Sequence, residues 1–130
     1  MKKTIYLLVA LALGTTTISC SQSSEQQTSD QTLERVDNTK FKELLASIEN
    51  AQIIDVRTPE EYNAGKIGDA VNLNFYDDDF KARINALDKT KPVLLYCQGG
   101  GRSGKTLKMM EEMDFKTVYE LKTGYGGWKE

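Results

Sequence analysis

Short apolar runs alternate with longer segments of helical periodicity from residue 33 to residue 130, and this alternation limits the possible folds more than any other feature. Continuous runs rich in Val, Ile and Leu are typical of parallel strands that are buried on both faces. Four runs fit this description, at 52–56, 70–73, 93–96 and 117–121. Their alternation with helices predicts an α/β domain with a mainly parallel central sheet and helices on both faces.

Apolar residues at helical spacing define the segments between these strands. Three such faces occur: Phe41, Leu44, Leu45 and Ile48; Phe80, Ile84 and Leu87; Leu107, Met110 and Met113. We interpret the methionines as core packing. A further helix is predicted to begin after Thr58, because Thr58 can cap it, Pro59 suits its first position and Glu61 completes a capping box.

Residues 1–19 have the organisation of a secretory signal peptide. Two lysines follow the initiating methionine, residues 5–13 are continuously apolar, and mostly small residues lead up to Cys20. The apolar run is too short to span a bilayer as a stable helix. We expect cleavage before Cys20.

The segment at the cleavage point, Thr17-Ile18-Ser19-Cys20, resembles the lipobox of bacterial lipoproteins. This resemblance implies that Cys20 is acylated, and several acyl chains on one residue hold a protein stably on a membrane. By the same resemblance, Ser21 after the cysteine implies delivery to the outer membrane. We therefore expect a lipid-anchored protein of a bacterial cell envelope, on the outer membrane and facing the periplasm.

Residues 20–32 are expected to form a flexible tether to that anchor. From Ser21 to Thr32 the sequence contains no apolar residue, so it cannot bury enough surface to offset the entropy lost on ordering. The folded domain is then predicted to cover residues 33–130, near the lower end of comfortable domain size.

Charge and composition exclude several classes of function. The 17 basic residues of the chain fall to 15 once Lys2 and Lys3 are removed with the signal, against 19 acidic residues, a balance that does not suggest nucleic-acid binding. The chain contains no histidine, which excludes a histidine general base, a Cys-His pair and most zinc or haem sites. We expect no metal, no other cofactor and a monomer.

Cys97 is the one thiol left once Cys20 carries lipid. Because it has no partner for an intramolecular disulfide, it is either a buried filler or a working thiol. It follows the third predicted strand and precedes a helix predicted from about Arg102 to Met113. Working sites in parallel sheets lie at this carboxyl end of the strands, and Asp55 to Arg57 stand at the end of the first predicted strand.

The loop Cys97-Gln98-Gly99-Gly100-Gly101-Arg102-Ser103 combines three glycines with a cation. Glycines permit a tight ring of backbone whose N–H groups converge at a helix N-terminus, and such a nest binds anions. These donors and Arg102 should stabilise a thiolate or a persulfide at Cys97. A thiolate can attack a sulfane sulfur, hold it as persulfide and pass it on without a general base. The alternative is an inert cysteine at the end of a buried strand.

Two other chemistries share parts of this loop. Residues 99–106 fit the phosphate-binding pattern Gly-x-x-x-x-Gly-Lys-Thr, but the 24 residues after Thr106 leave no room for an acidic strand that would hold magnesium. Cysteine phosphatases place an arginine after five intervening residues, whereas four residues separate Cys97 from Arg102. The shorter ring suits a single sulfur atom better than a phosphate, and the sequence places no aspartic general acid.

The loop also fits the pattern Cys-x-x-Gly-x-Arg-Ser, and together with its flanking segments it resembles the rhodanese-like family of sulfurtransferases. The matching positions outside the loop are Ile54-Asp55-Val56-Arg57, Glu61, Tyr62, Gly65, Ile67, Ala70, Asn72, Leu121, Gly124 and Trp128. The departures are Lys66, Gly68-Asp69 and Thr123, which touch supporting turns. The resemblance covers residues 33–130 in order and implies a rhodanese-like fold.

By that resemblance, Cys97 is the nucleophile that carries sulfur, the amides of residues 98–103 cradle the persulfide, and Arg102 binds an anionic donor. Asp55 is interpreted as a structural anchor near the loop and Arg57 as a partner of Glu61. We expect a sulfurtransferase that moves sulfane sulfur from a donor such as thiosulfate to a thiol or cyanide-like acceptor. The alternative is a non-catalytic persulfide carrier or docking module, with a protein as the sulfur acceptor.

Overall fold

The computed structural model describes Gly14 and residues 30–130; the predicted signal peptide and Cys20 otherwise lie outside the described residues. Strands and helices alternate throughout residues 30–130. The strands are β1 (Thr32–Val36), β2 (Gln52–Asp55), β3 (Val71–Asn72), β4 (Val93–Tyr96) and β5 (Thr117–Leu121). The helices are α1 (Asn38–Ser47), α2 (Pro59–Asn63), α3 (Phe80–Asn85) and α4 (Gly101–Glu112), followed by a 3-10 turn at Tyr125–Gly127. None of the helices in this part of the chain combines the length and the apolar character needed to cross a bilayer.

All strand pairs in the sheet are parallel, in the order β1-β5-β4-β2-β3. The four predicted strands are present as β2 to β5, which confirms the predicted α/β class with its parallel sheet. The central strand β4 is buried at all of its positions, as a strand covered on both faces should be.

The edge strand β1 was not predicted from the sequence. It contains only two apolar residues, Leu33 and Val36, because it is largely exposed. It pairs with β5 along its whole length, and the Gln31 side chain donates to two backbone carbonyls, at 3.3 and 3.0 Å. The folded domain therefore includes Gln31 and Thr32, two residues that the prediction had assigned to the end of the 20–32 tether. The tether up to residue 29 lies outside the described residues.

Two apolar cores cover the two faces of the sheet. The first core packs the sheet against α3 and α4; its buried residues are Ile54, Val56, Leu73, Phe80, Ile84, Val93, Leu95, Cys97, Met110, Phe115 and Val118. The second core packs it against α1; its buried residues are Val36, Phe41, Leu44, Ile67, Ala70, Leu94, Tyr96 and Leu121. Helices on both faces are thus confirmed, and Met110 is core packing as expected.

The carboxyl ends of β2 and β4 bring two segments of the chain side by side. Asp55 lies opposite Tyr96 in the register, and Val56 N donates to the Tyr96 carbonyl at 3.0 Å. The residues that follow each strand therefore meet at one edge of the sheet. At the same edge α2 begins with the predicted capping box, in which Thr58 and Glu61 exchange hydrogen bonds of 2.9 and 3.3 Å.

Candidate active site around Cys97

Cys97 is the first residue after β4, and only 1% of its surface is exposed. Gly100 N donates to its Sγ at 3.1 Å, and Ser103 Oγ lies 3.2 Å from the same atom. The chain turns back onto the sulfur because Gly100 has φ +87°, where a side chain would also collide with the Lys122 carbonyl. Since α4 begins at the next residue, the positive end of its dipole lies beside the sulfur.

The surroundings lower the pKa of the Cys97 thiol, although burial by itself would raise it. The Ser103 hydroxyl lowers the pKa most, followed by the backbone N–H groups of Ser103, Gly99 and Gly100. Hydrogen bonds to the charged form favour that form. The site therefore holds a sulfur that ionises more easily than an ordinary buried thiol.

The Cys97 loop is held from behind by the turn that follows β5. Tyr125 N donates to the Cys97 carbonyl at 2.7 Å, and Gly126 N donates to the Gln98 carbonyl at 2.9 Å. Gly124 makes this close approach possible: its φ is +62°, and a Cβ would lie 2.5 Å from the Gln98 carbonyl group. The Cys97 and Gln98 carbonyls are thus occupied by donors from this turn, while Gly100 N donates to the sulfur on the other side of the loop.

Asp55 and Arg57 form a buried ion pair beside the loop. The Arg57 guanidinium donates to both Asp55 oxygens, at 2.7 to 3.0 Å, and Arg57 N donates to Asp55 Oδ1 at 2.9 Å. Arg57 also donates to the Gly65 carbonyl at 2.5 Å and to Gln98 Oε1 at 3.3 Å, and its guanidinium lies 4.1 Å from the centre of the Tyr125 ring. This pair connects β2, the Cys97 loop and the turn behind the loop.

The predicted ion pair between Arg57 and Glu61 is wrong. Arg57 is 1% exposed, so it needs a carboxylate that is equally buried, and Asp55 at the end of the same strand provides one. Glu61 instead accepts from Arg102, at 2.7 and 2.9 Å to its two oxygens.

Arg102 is directed at Glu61 rather than at the sulfur. The bidentate hydrogen bonds from Arg102 lower the pKa of Glu61 to about 2, against the opposing effect of burial and with help from the Thr58 N–H. Cys97 is still close enough to interact with the Arg102 charge, which raises the arginine's pKa further. The Arg102 guanidinium thus lies near Cys97, but the Glu61 carboxylate already neutralises its charge.

Two charged residues of the site were missed by sequence reasoning. The Glu120 carboxylate is fully buried and accepts from Ser103 Oγ at 2.5 Å, and Arg35 Nε donates to it at 2.6 Å. Arg35 Nη2 also donates to the Gly100 carbonyl at 2.9 Å. The available signal was Glu120 itself, a charged residue between Tyr119 and Leu121 in a strand predicted to be buried, since a buried carboxylate must be paired.

The remaining predicted site residues are Gln98, Gly99 and Gly101, and they form the exposed side of the loop. No other heavy atom lies within 4 Å of where a Cβ would stand at Gly99 or Gly101, so the space beside them is open. The loop therefore has a tight inner side around Sγ and an accessible outer side. Within residues 30–130, no cluster of three or more His, Cys, Asp or Glu side chains could hold a metal ion.

A sequence model of the rhodanese-like domain matches residues 37–130. The chain belongs to the rhodanese-like family. The resemblance stated from the loop and its flanking motifs is thereby confirmed. In this rhodanese-like chain, the matched residues include Cys97, Arg102 and Ser103.

Relatives of this rhodanese-like chain include sulfurtransferases. It is 37% identical over 87 residues to YqhL of Bacillus subtilis, covering 67% of this chain and 68% of that protein. It is 29% identical over 86 residues to the thiosulfate sulfurtransferase GlpE of Shewanella oneidensis, covering 66% and 83%. It is also 37% identical over 92 residues to a tRNA uridine(34) hydroxylase of Pelagibacter ubique, where the match covers 68% of this chain but only 30% of that protein.

The fold of this rhodanese-like chain is also similar to solved structures. A rhodanese-like domain protein from Staphylococcus aureus superimposes with a TM-score of 0.65 at 26% identity, covering 75% of this chain and 92% of that one. The parallel sheet with its flanking helices is thus the architecture of the family.

Proposed function

We propose that this chain is a sulfurtransferase that moves sulfane sulfur from a donor such as thiosulfate to a thiol or cyanide-like acceptor, through a persulfide on Cys97. The observation that carries the proposal is the pair of donors on Cys97 Sγ, Gly100 N at 3.1 Å and Ser103 Oγ at 3.2 Å. They stabilise negative charge on a sulfur that directly follows the carboxyl end of β4 and lies at the N-terminus of α4. The sequence similarity to a thiosulfate sulfurtransferase supports the same activity.

The chemistry proceeds in two displacements. The Cys97 thiolate attacks the outer sulfur of thiosulfate, an S–S bond forms, and sulfite leaves with the electron pair of the bond that breaks. The acceptor, for example cyanide, then attacks the terminal sulfur of the persulfide. Thiocyanate leaves, and the Cys97 thiolate is restored without any external oxidant or reductant.

The position of Arg102 supports sulfur over phosphate as the transferred group. A ring that binds a phosphoryl group needs donors for several oxygens, including an arginine turned into the ring. Here both terminal nitrogens of Arg102 donate to Glu61, and four residues rather than five separate it from Cys97. The compact ring suits one added sulfur atom.

Purified protein incubated with thiosulfate should gain the mass of one sulfur atom, and added cyanide should remove it as thiocyanate. The matched control is Cys97→Ser, which keeps the size of the side chain and should do neither. A gain of sulfur without thiocyanate would favour the alternative, a persulfide carrier that hands sulfur to a protein acceptor. No gain from thiosulfate or from glutathione persulfide would reject the proposal.

We also propose that the chain is anchored in a bacterial envelope through acylated Cys20, on the outer membrane facing the periplasm. The support is the sequence of residues 1–21, with its basic start, short apolar run and lipobox-like end. Cells grown with labelled palmitate should label the protein, and Cys20→Ser should abolish both the label and the recovery of the protein with outer membranes. An unlabelled wild-type protein would overturn this assignment.

A further inference from the structure

A carboxylate lies buried in the sheet next to the Cys97 loop. Glu120 lies on β5 directly opposite Arg35 on β1, and its side chain is fully buried while the Arg35 side chain is 49% exposed. Arg35 Nε donates to Glu120 Oε2 at 2.6 Å, and Arg35 Nη2 lies 3.4 Å from Oε1. Buried carboxylates are rare unless they are paired, and here the pairing cation is the half-exposed Arg35.

Ser103 connects this carboxylate to the nucleophile. Its Oγ lies 2.5 Å from Glu120 Oε1 and 3.2 Å from Cys97 Sγ, and it is fully buried on α4. A serine hydroxyl has one proton to donate, while a carboxylate and a thiolate each accept only. The hydroxyl therefore cannot donate to both of its neighbours at once.

We propose that Cys97 and Glu120 share a single proton through Ser103. In one arrangement Cys97 is a thiol that donates to Ser103 Oγ, and Ser103 donates to the Glu120 carboxylate. In the other, the thiol proton has moved to Ser103 Oγ and the serine proton to Glu120 Oε1. Ser103 then donates to the Cys97 thiolate and accepts from the neutral Glu120. No proton is gained or lost between the two arrangements.

The charges around the site favour one negative charge on this pair rather than two. Arg35 on β1 is the cation that contacts Glu120, and Arg102 on α4 is already balanced by Glu61. On the β2 side, Asp55 and Arg57 also form a neutral pair. Two negative charges that share one buried site repel each other, and a single neighbouring cation cannot balance both. One charge on the Cys97–Glu120 pair is matched by Arg35.

This arrangement provides Cys97 with a proton acceptor, a role for which the chain has no histidine. A thiol must lose its proton before it can attack sulfur. A buried carboxylate that takes up that proton forms the thiolate without releasing a proton to water. The inference deepens the proposed function, since it concerns the same cysteine, but its test uses a single alkylation and needs no sulfur transfer.

The experiment counts protons while Cys97 is alkylated by iodoacetamide in weakly buffered solution at neutral pH. Thiolate is measured beforehand from its ultraviolet absorbance, as the difference from Cys97→Ser. An isolated thiolate releases no proton on alkylation. The wild-type protein should show thiolate absorbance and nevertheless release about one proton for each Cys97 modified, because Glu120 ionises once the sulfur has lost its charge.

The decisive variant is Glu120→Gln, whose amide resembles the protonated carboxyl group. It should keep the thiolate absorbance, or increase it, while the proton release falls towards zero. The matched control is Glu34→Gln, an exposed carboxylate on β1, which should behave as the wild type.

Two wild-type results would overturn the inference: thiolate absorbance without proton release, and full release without thiolate absorbance. Equal proton release in Glu120→Gln and wild type would do the same. If Glu120→Gln does not fold, the wild-type count alone decides. Loss of thiocyanate formation with an intact proton count would count against sulfur transfer only.

Discussion

Arg102 donates to both oxygens of Glu61, at 2.7 and 2.9 Å, while Glu61 also completes the capping box of α2 with Thr58. One carboxylate therefore ties the Cys97 loop to the segment that follows β2. The pairing fixes where the guanidinium lies, but it also cancels the charge that an anionic donor would meet. Donor binding at Arg102 must compete with this ion pair.

We predict that Glu61→Gln lowers the KM for thiosulfate. The variant removes the negative charge that competes with the donor for Arg102. A partly exposed ion pair of this kind contributes about 1 kcal/mol, so its loss should lower KM about fivefold. Steady-state thiocyanate formation measures it. Glu60→Gln, an exposed neighbour with the same change of charge, should leave KM unchanged. A higher KM in Glu61→Gln would mean that Glu61 is needed to orient Arg102.

Replacing Asp55 should strongly destabilise the folded protein. Asp55→Asn leaves Arg57 buried without a full counter-charge, which should lower the free energy of unfolding by about 3–5 kcal/mol. Urea denaturation measures the change. The control is Asp77→Asn, whose partner Arg83 lies at 3.4 Å with both side chains about two-fifths exposed, at 41% and 42%; this variant should lose less than about 1 kcal/mol. Similar losses in the two variants would contradict the importance of burial.

The turn behind the loop should be intolerant of a methyl group at Gly124. Gly124→Ala places a Cβ against the Gln98 carbonyl at φ +62°, so we expect a loss of about 2 kcal/mol or more in the free energy of unfolding and a fall in thiocyanate formation. Gly101→Ala is the control for stability. It meets no atom within 4 Å and should change the free energy of unfolding by less than about 1 kcal/mol.

Removing the Ser103 hydroxyl should shift the pH dependence of Cys97 reactivity. Burial raises the pKa of the thiol, and the Ser103 hydroxyl is the largest contribution that lowers it. In Ser103→Ala the pKa should therefore rise, and the rate of alkylation by iodoacetamide should reach its half-maximum at a higher pH than in the wild type. Ser47→Ala, far from the loop in sequence at the end of α1, provides the control. An unchanged pH profile in Ser103→Ala would show that the hydroxyl does not stabilise the thiolate.

The sequence predicted the features that depend on local patterns. Strands β2 to β5, the capping box at Thr58 and the loop from Cys97 to Ser103 all follow from the order of residues within short segments. The edge strand β1 escaped prediction because only two of its five residues are apolar and its structure depends on pairing with β5. Predicting β1 would have required knowing in advance that it lies next to β5 in the sheet.

The ion pairs of the site could not be predicted for the same reason. Arg35 and Glu120 are 85 residues apart in the chain and meet only through the register of β1 against β5. Arg102 and Glu61 are 41 residues apart in the chain. The buried arginine, Arg57, pairs with the buried Asp55, and the partly exposed Arg102 pairs with the partly exposed Glu61. Sequence reasoning supplies the charged residues, whereas the packing of the sheet decides their pairs.

Among residues 30–130, the first strand, β1, lies beside the last, β5, and the turn that supports the Cys97 loop comes after both. During synthesis, Cys97 leaves the ribosome well before Glu120, Gly124 and Tyr125 do. Until residues 117–126 have followed, β1 has no neighbouring strand and the Cys97 and Gln98 carbonyls lack the donors Tyr125 N and Gly126 N. We expect the nascent cysteine to react as an ordinary thiol and to acquire its special reactivity in one step, when the sheet closes.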